Sequence, residues 1–166
     1  AGFVGLMSIF NMGGRIFWAS MSDFMGRKTT YVIFFILGAI LYVLVPTFGH
    51  IHSIALFIIA FLIIISMYGG GFATIPAYLR DLFGTINVGA IHGAILTAWS
   101  AAGIAGPVLV NYIRQYQLDH GVAKADAYSV TMYIMTALLV VGLLCNVSIR
   151  ALNDRYYVKN LQEATS

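Results

Sequence analysis

Charged residues are so sparse along this chain that they partition it by themselves. All 51 positions from 29 to 79 lack Asp, Glu, Lys and Arg, as do the 32 from 82 to 113 and the 23 from 127 to 149. A membrane-crossing helix needs about 20 predominantly apolar residues, so each later run predicts one span and the first predicts two. The first run divides at 46–53, where Pro46, Gly49, His50 and His52 gather. Residues 1–22 carry no charge except Arg15 and predict a further span, clipped at its start. The expectation is an all-α integral membrane protein with five helices at about 1–22, 29–48, 54–79, 88–113 and 127–149. Residues 1–149 then form one transmembrane bundle, and 150–166 a polar, helix-prone tail. No short-period repeat or low-complexity segment interrupts this pattern.

Composition narrows the class. Of the 166 residues 60% are hydrophobic and 9% charged, against about 25% charged in a soluble domain, so a soluble globule is excluded. A net charge of +3, scattered along the chain, gives no clustered basic face for nucleic acid. The single cysteine, Cys145, excludes an intrachain disulfide and a cysteine metal cluster. The chain opens at Ala1 inside an apolar run without a basic segment before it, which reads as a mid-protein start rather than a signal peptide. Orientation follows from Lys and Arg in the short loops. Arg27, Lys28, Arg80, Arg150, Arg155 and Lys159 fall on one side, and Arg114 and Lys124 on the other. The richer side, with the C-terminus, is expected to be cytoplasmic.

Arg15 is the outstanding chemical feature. It precedes Asp23 by eight positions, roughly 12 Å along a helix, which puts it near the bilayer midplane. An arginine there costs about 2.5–3.5 kcal/mol on insertion scales and ordinarily faces a bundle interior or an aqueous cavity. At 100° per residue Ser8, Asn11, Arg15, Trp18 and Ser22 share one stripe, with Phe10, Phe17 and Phe24 opposite. A forked guanidinium on a polar stripe suits bidentate capture of a carboxylate. The competing role is structural, with Arg15 held by carbonyls or a carboxylate of a neighbouring helix; ligand binding is favoured.

The segment from Gly14 to Lys28, with Asp23, Gly26, Arg27 and Lys28 at its end, resembles the cytoplasmic loop signature of the major facilitator superfamily, Gly-x-x-x-Asp-x-x-Gly-Arg-Lys. Ala19 stands where that signature has its first Gly. Asn11-x-x-x-Arg15 followed by Phe17-Trp18, the run from Gly69 to Gly84, and Gly89-Ala-Ile-His-Gly93 with Thr97-Ala-Trp-Ser100 look more specifically like the oxalate/formate antiporter family. The resemblance implies the eighth to twelfth helices of a twelve-helix transporter whose N-terminal half is absent from this sequence. It also implies a small organic anion as substrate, the lipid bilayer as surroundings, and a multi-pass location in a prokaryotic inner membrane.

Site residues follow from the same likeness. Arg15 would anchor the anion, with Asn11, Trp99 and Tyr68 lining its site. Oxalate-exchanging members carry a Lys where this sequence has Ala102, so a single cation favours a monocarboxylate such as pyruvate, lactate or formate over a dianion. Proton-linked relatives place Asp where Asn11 stands. Asp23 and Arg27 are spaced to pair at i, i+4, and Arg27 is an alternative partner for Asp81. With Gly26 they read as gating residues, or else as simple determinants of topology.

Pro76 and Pro107 fall inside spans and each removes one helical hydrogen bond, at Phe72 and Gly103 respectively. Gly103 to Pro107 resembles the Gly-Pro motif of superfamily antiporters; hinge and plain packing roles stand equal. Gly69, Gly70 and Gly71 permit close helix approach. Trp18, Tyr31, Tyr42 and Tyr133 suit packing or interface positions, a role also open to Tyr68. His50 and His52 lack a third ligand, so no metal is expected. No nucleophile–base pair or phosphate loop suggests an enzyme or a cofactor. The rival functions are exchange of oxalate or another dicarboxylate, and a membrane scaffold or sensor that transports nothing.

Overall fold

The computed structural model describes residues 2–124 and 126–150. They form five helices: α1 (Gly2–Met25), α2 (Arg27–His50), α3 (Ile54–Phe83), α4 (Val88–Asp119) and α5 (Ser129–Ser148). The helices α2 to α5 are each long and apolar enough to cross a membrane. At 24 residues α1 is about 36 Å long, enough for a hydrocarbon core of about 30 Å. With Asn11, Arg15 and Asp23 along it, however, α1 is not among the helices apolar enough to cross. The expected helical tail lies outside the described residues beyond Arg150.

Several boundaries differ from expectation. Pro46 does not divide the first apolar run; α2 continues through it to His50, and the turn is confined to 51–53. Proline removes only the one N–H that would bond Tyr42, whereas leaving the helix in lipid exposes several backbone groups. The helix α3 runs past Arg80 and Asp81 to Phe83, ending at Gly84 with φ 76°. The helix α4 continues through Arg114 to Asp119, so the expected loop at 114–126 shortens to 120–128. Charge marks where the apolar slab ends, while helices carry on into water until a terminator arrives. Gly121, at φ 80°, follows α4 closely. Gly26, at φ 86°, is the whole connection between α1 and α2, a backbone state that glycine adopts without a Cβ penalty.

The helices pack as two pairs. Extensive contacts join α1 to α3 and α2 to α5, α2 against α3 links the pairs, and α4 touches α3 and α5 only lightly. The core is Phe34, Leu41, Val45, Ala60 and Met67, with Trp18 and Tyr31 against it. Buried hydroxyls turn back on their own helices: Ser22 Oγ to Ala19 O at 2.7 Å, Thr30 Oγ1 to Gly26 O at 3.0 Å, and Thr74 Oγ1 to Gly70 O at 2.9 Å. These three side chains thereby sit in the bundle satisfied, whereas the buried Thr131 Oγ1 of α5 has no hydrogen-bond partner among the described residues.

The α1–α3 seam is closed by glycine. A Cβ on Gly14 would overlap the Ser66 carbonyl, and one on Gly69 the Asn11 carbonyl, so the two backbones touch. A Cβ on Gly70 would meet the Trp18 indole at 2.7 Å. Trp18 Nε1 donates to Ser66 Oγ at 3.3 Å, and its ring stands edge-on to Phe34, centroids 5.0 Å apart.

Candidate functional site

The seam fixes the direction of Arg15. Gly14 is buried between α1 and α3, and its neighbour Arg15 emerges beside the crossing with its Cζ 5.9 Å from the centroid of the Phe72 ring on α3. That is cation–π range. Phe72 meets Trp99 of α4 edge-on at 5.3 Å, and Trp99 lies 5.4 Å from Tyr68. Arg15, Phe72, Trp99 and Tyr68 are all exposed, so the cluster forms an open face spanning α1, α3 and α4. Among the described residues Arg15 makes no ion pair, and neither a carboxylate nor a backbone carbonyl holds it. Asn11 is half-buried one turn earlier on α1, its carbonyl against Gly69.

The polar stripe of α1 therefore splits. Trp18 and Ser22 turn into the core, Ser22 being fully buried, while Arg15 turns to the aromatic face and Ser8 is exposed. The structure brings together Arg15, Trp99 and Tyr68 and adds Phe72 as the link that sequence reasoning missed. Tyr68 and Phe72 stand at i, i+4 on one helix face, a spacing that could have exposed the pair. Ser66, the partner of Trp18, had no comparable signal.

The gating candidates separate into two groups. At one end of the bundle Arg27 pairs closely with Asp23 and Ser22 Oγ, donates to Ala19 O at 3.3 Å and lies 3.9 Å from Asp81 Oδ2. Both proposed carboxylates thus share one guanidinium, with Asp23 the nearer, and Arg80 Nε is 3.7 Å from Asp81. Lys28 Nζ donates to Val147 O at 2.9 Å and Ile149 O at 2.7 Å, taking up terminal carbonyls of α5. Tyr78 OH bonds Asn146 Oδ1 at 3.0 Å, and Asn146 Nδ2 donates to Lys28 O at 3.3 Å, which ties α2, α3 and α5 together. Pro76 lies within α3, and Gly103 and Pro107 within α4. Gly103 faces open space, so among the described residues it serves no close approach.

At the opposite end His50 Nε2 lies 3.2 Å from Asp126 Oδ1. No group of three or more His, Cys, Asp or Glu able to hold a metal occurs among the described residues.

Comparison with known proteins identifies the family. The family model described as Major Facilitator Superfamily matches residues 1–163. An oxalate:formate antiporter from Oxalobacter formigenes is 33% identical over 103 residues, covering 62% of this chain. That segment is 24% of the relative, so the chain aligns with about a quarter of its length. No solved structure matches. A family match over nearly every residue, together with helices fit to cross a bilayer, makes this a multi-pass membrane protein: the chain belongs to the major facilitator superfamily.

Proposed function

We propose that this chain is the C-terminal half of a secondary transporter for small monocarboxylates. The observation that carries the reading is Arg15, an exposed guanidinium near mid-helix with no carboxylate partner among the described residues, laid over Phe72 beside Trp99 and Tyr68. Its free fork can hold both oxygens of a carboxylate beside the aromatic rings. Asn11 supports the site from the preceding turn. Transport proceeds by rocking of this half against another repeat, with the site between them near the midplane. Asp23, Gly26, Arg27 and Asp81 act at the cytoplasmic end, and Pro76, Gly103 and Pro107 within the helices, as conformational residues. The membrane is a prokaryotic inner membrane and the tail is cytoplasmic.

A second reading is exchange of oxalate against formate. The likeness to the Oxalobacter antiporter favours it, while Ala102, with one cation at the site, favours the monocarboxylate. Uptake by the complete transporter in proteoliposomes, with pyruvate, lactate, formate and oxalate as competitors, separates the two. Arg15→Lys keeps the charge but loses the fork; a charge-assisted hydrogen bond contributes about 1.5–3 kcal/mol, so uptake falls tenfold or more. Arg15→Gln should reduce uptake to background, and Ala102→Lys should move preference toward the dicarboxylate. Unchanged uptake in Arg15→Gln removes the anchor role.

A further inference from the structure

Two adjoining cavities at the Arg27 end have opposite character. One, about 490 Å³, is an open mouth lined by Arg27, Lys28 and Arg150 against the single carboxylate of Asp81. The other, about 470 Å³, is an apolar slot among α2, α3, α4 and α5, with Phe35, Ile75, Ile95 and Cys145 in its wall. They share Tyr78, Leu82 and Ile149, so the slot opens directly beneath the cationic mouth.

The polar groups bordering the slot are already engaged. Tyr31 OH donates to Gly71 O at 2.6 Å, and Tyr78 is bonded to Asn146, which in turn donates to Lys28 O. An occupant of the slot therefore meets hydrocarbon. One of the mouth takes an excess of positive charge, and Lys28, with two of its three donors on α5 carbonyls, retains one for a ligand.

We infer that this composite site binds an anionic phospholipid, its phosphate at Lys28 and Arg150 and one acyl chain in the slot between α4 and the α2–α5 pair. Charge complementarity selects the headgroup, and the apolar slot selects a lipid over a free anion. Such a lipid fills the gap that the light contacts of α4 leave. The inference does not depend on what is transported.

Cys145, the sequence's one cysteine, lines the slot and is exposed, so it reports occupancy. The complete protein in detergent is titrated with phosphatidylglycerol, with phosphatidylcholine of the same chains, or with glycerol phosphate, and alkylation of Cys145 by a maleimide is timed. Phosphatidylglycerol alone should slow alkylation at least fivefold, and Arg150→Gln should relieve most of that protection. Native mass spectrometry should show phosphatidylglycerol retained by the wild type and lost from Ile95→Trp, which fills the slot. Equal protection by phosphatidylcholine, equal protection by glycerol phosphate, or no protection by any of them overturns the proposal. These wild-type comparisons decide it even where a variant fails to fold.

Discussion

The crossing of α1 with α3 and the helix α4 are built from similar residues and end in opposite states. At the crossing Gly14, Gly69 and Gly70 let two backbones and an indole touch. On α4, Gly93, Gly103 and Gly106 meet nothing within 4 Å, and no residue of the helix is buried. A small residue is thus only a permission to approach. The partner decides whether the permission is used, and at the crossing that partner brings Trp18 and Ser66 to lock the seam. The candidate anion site lies where the two regimes meet. Arg15 and Phe72 stand on the locked side, and Trp99 on the lightly held one.

Substitution at the glycines tests this contrast most strongly. Gly69→Val drives a side chain into the Asn11 carbonyl and should cost about 3 kcal/mol, lowering the thermal midpoint of the purified protein by on the order of 10 °C. Gly103→Ala should leave the midpoint unchanged or slightly raised, since alanine is the better helix former by about 1 kcal/mol. A loss at Gly103 as large as at Gly69 would mean that chain beyond the described residues closes on α4.

A smaller effect is expected where the two regions touch. Phe72→Leu keeps the bulk but removes the quadrupole under Arg15, a contact of about 0.5–2 kcal/mol. Anion affinity in the complete transporter should weaken about two- to thirtyfold, while Phe72→Tyr stays near the wild-type value. Equal behaviour of Leu and Tyr would show that the ring only fills space.

The smallest effect belongs to the charged end. Arg27 is mainly engaged by Asp23, so a double-mutant cycle of Arg27→Gln with Asp81→Asn should give a coupling of about 0.5 kcal/mol, read from stability. A coupling above about 2 kcal/mol would make Asp81 the principal partner and Arg27 a latch between α2 and α3 rather than a local helix-end contact.

Legibility in the sequence followed the physics of each feature. Lipid forbids unsatisfied backbone, so charge-free runs translated into helices, two from the longest run and one from each of the others. The same rule explains the failure at Pro46, where the usual reading of proline as a break assumes that water is there to receive the backbone. The positions of Arg114 and Arg80 marked polarity, not helix ends. Arg15 was legible because an isolated intramembrane charge is costly. Phe72 was legible only through its i, i+4 spacing from Tyr68, because an aromatic residue in an apolar helix carries no other signal until its neighbour on another helix is known. Nor could periodicity tell that α1 chooses α3 over α2, since both offer apolar faces and only three-dimensional packing distinguishes them.

That choice of partner has a consequence in time. The helix α1 precedes α3 in synthesis, and its buried Gly14 faces a helix completed only at Phe83, roughly 60 residues after Met25. At synthesis rates of about 5–20 residues per second the interval is roughly 3–12 s. Throughout it, the helix bearing the buried-side Gly14 and the costly Arg15 lacks α3, its principal packing partner in this bundle. Cross-links between positions 14 and 66, in chains stalled before and after residue 83, should appear only in the longer ones. Late closure would make the nascent protein's most vulnerable moment the one before α3 arrives.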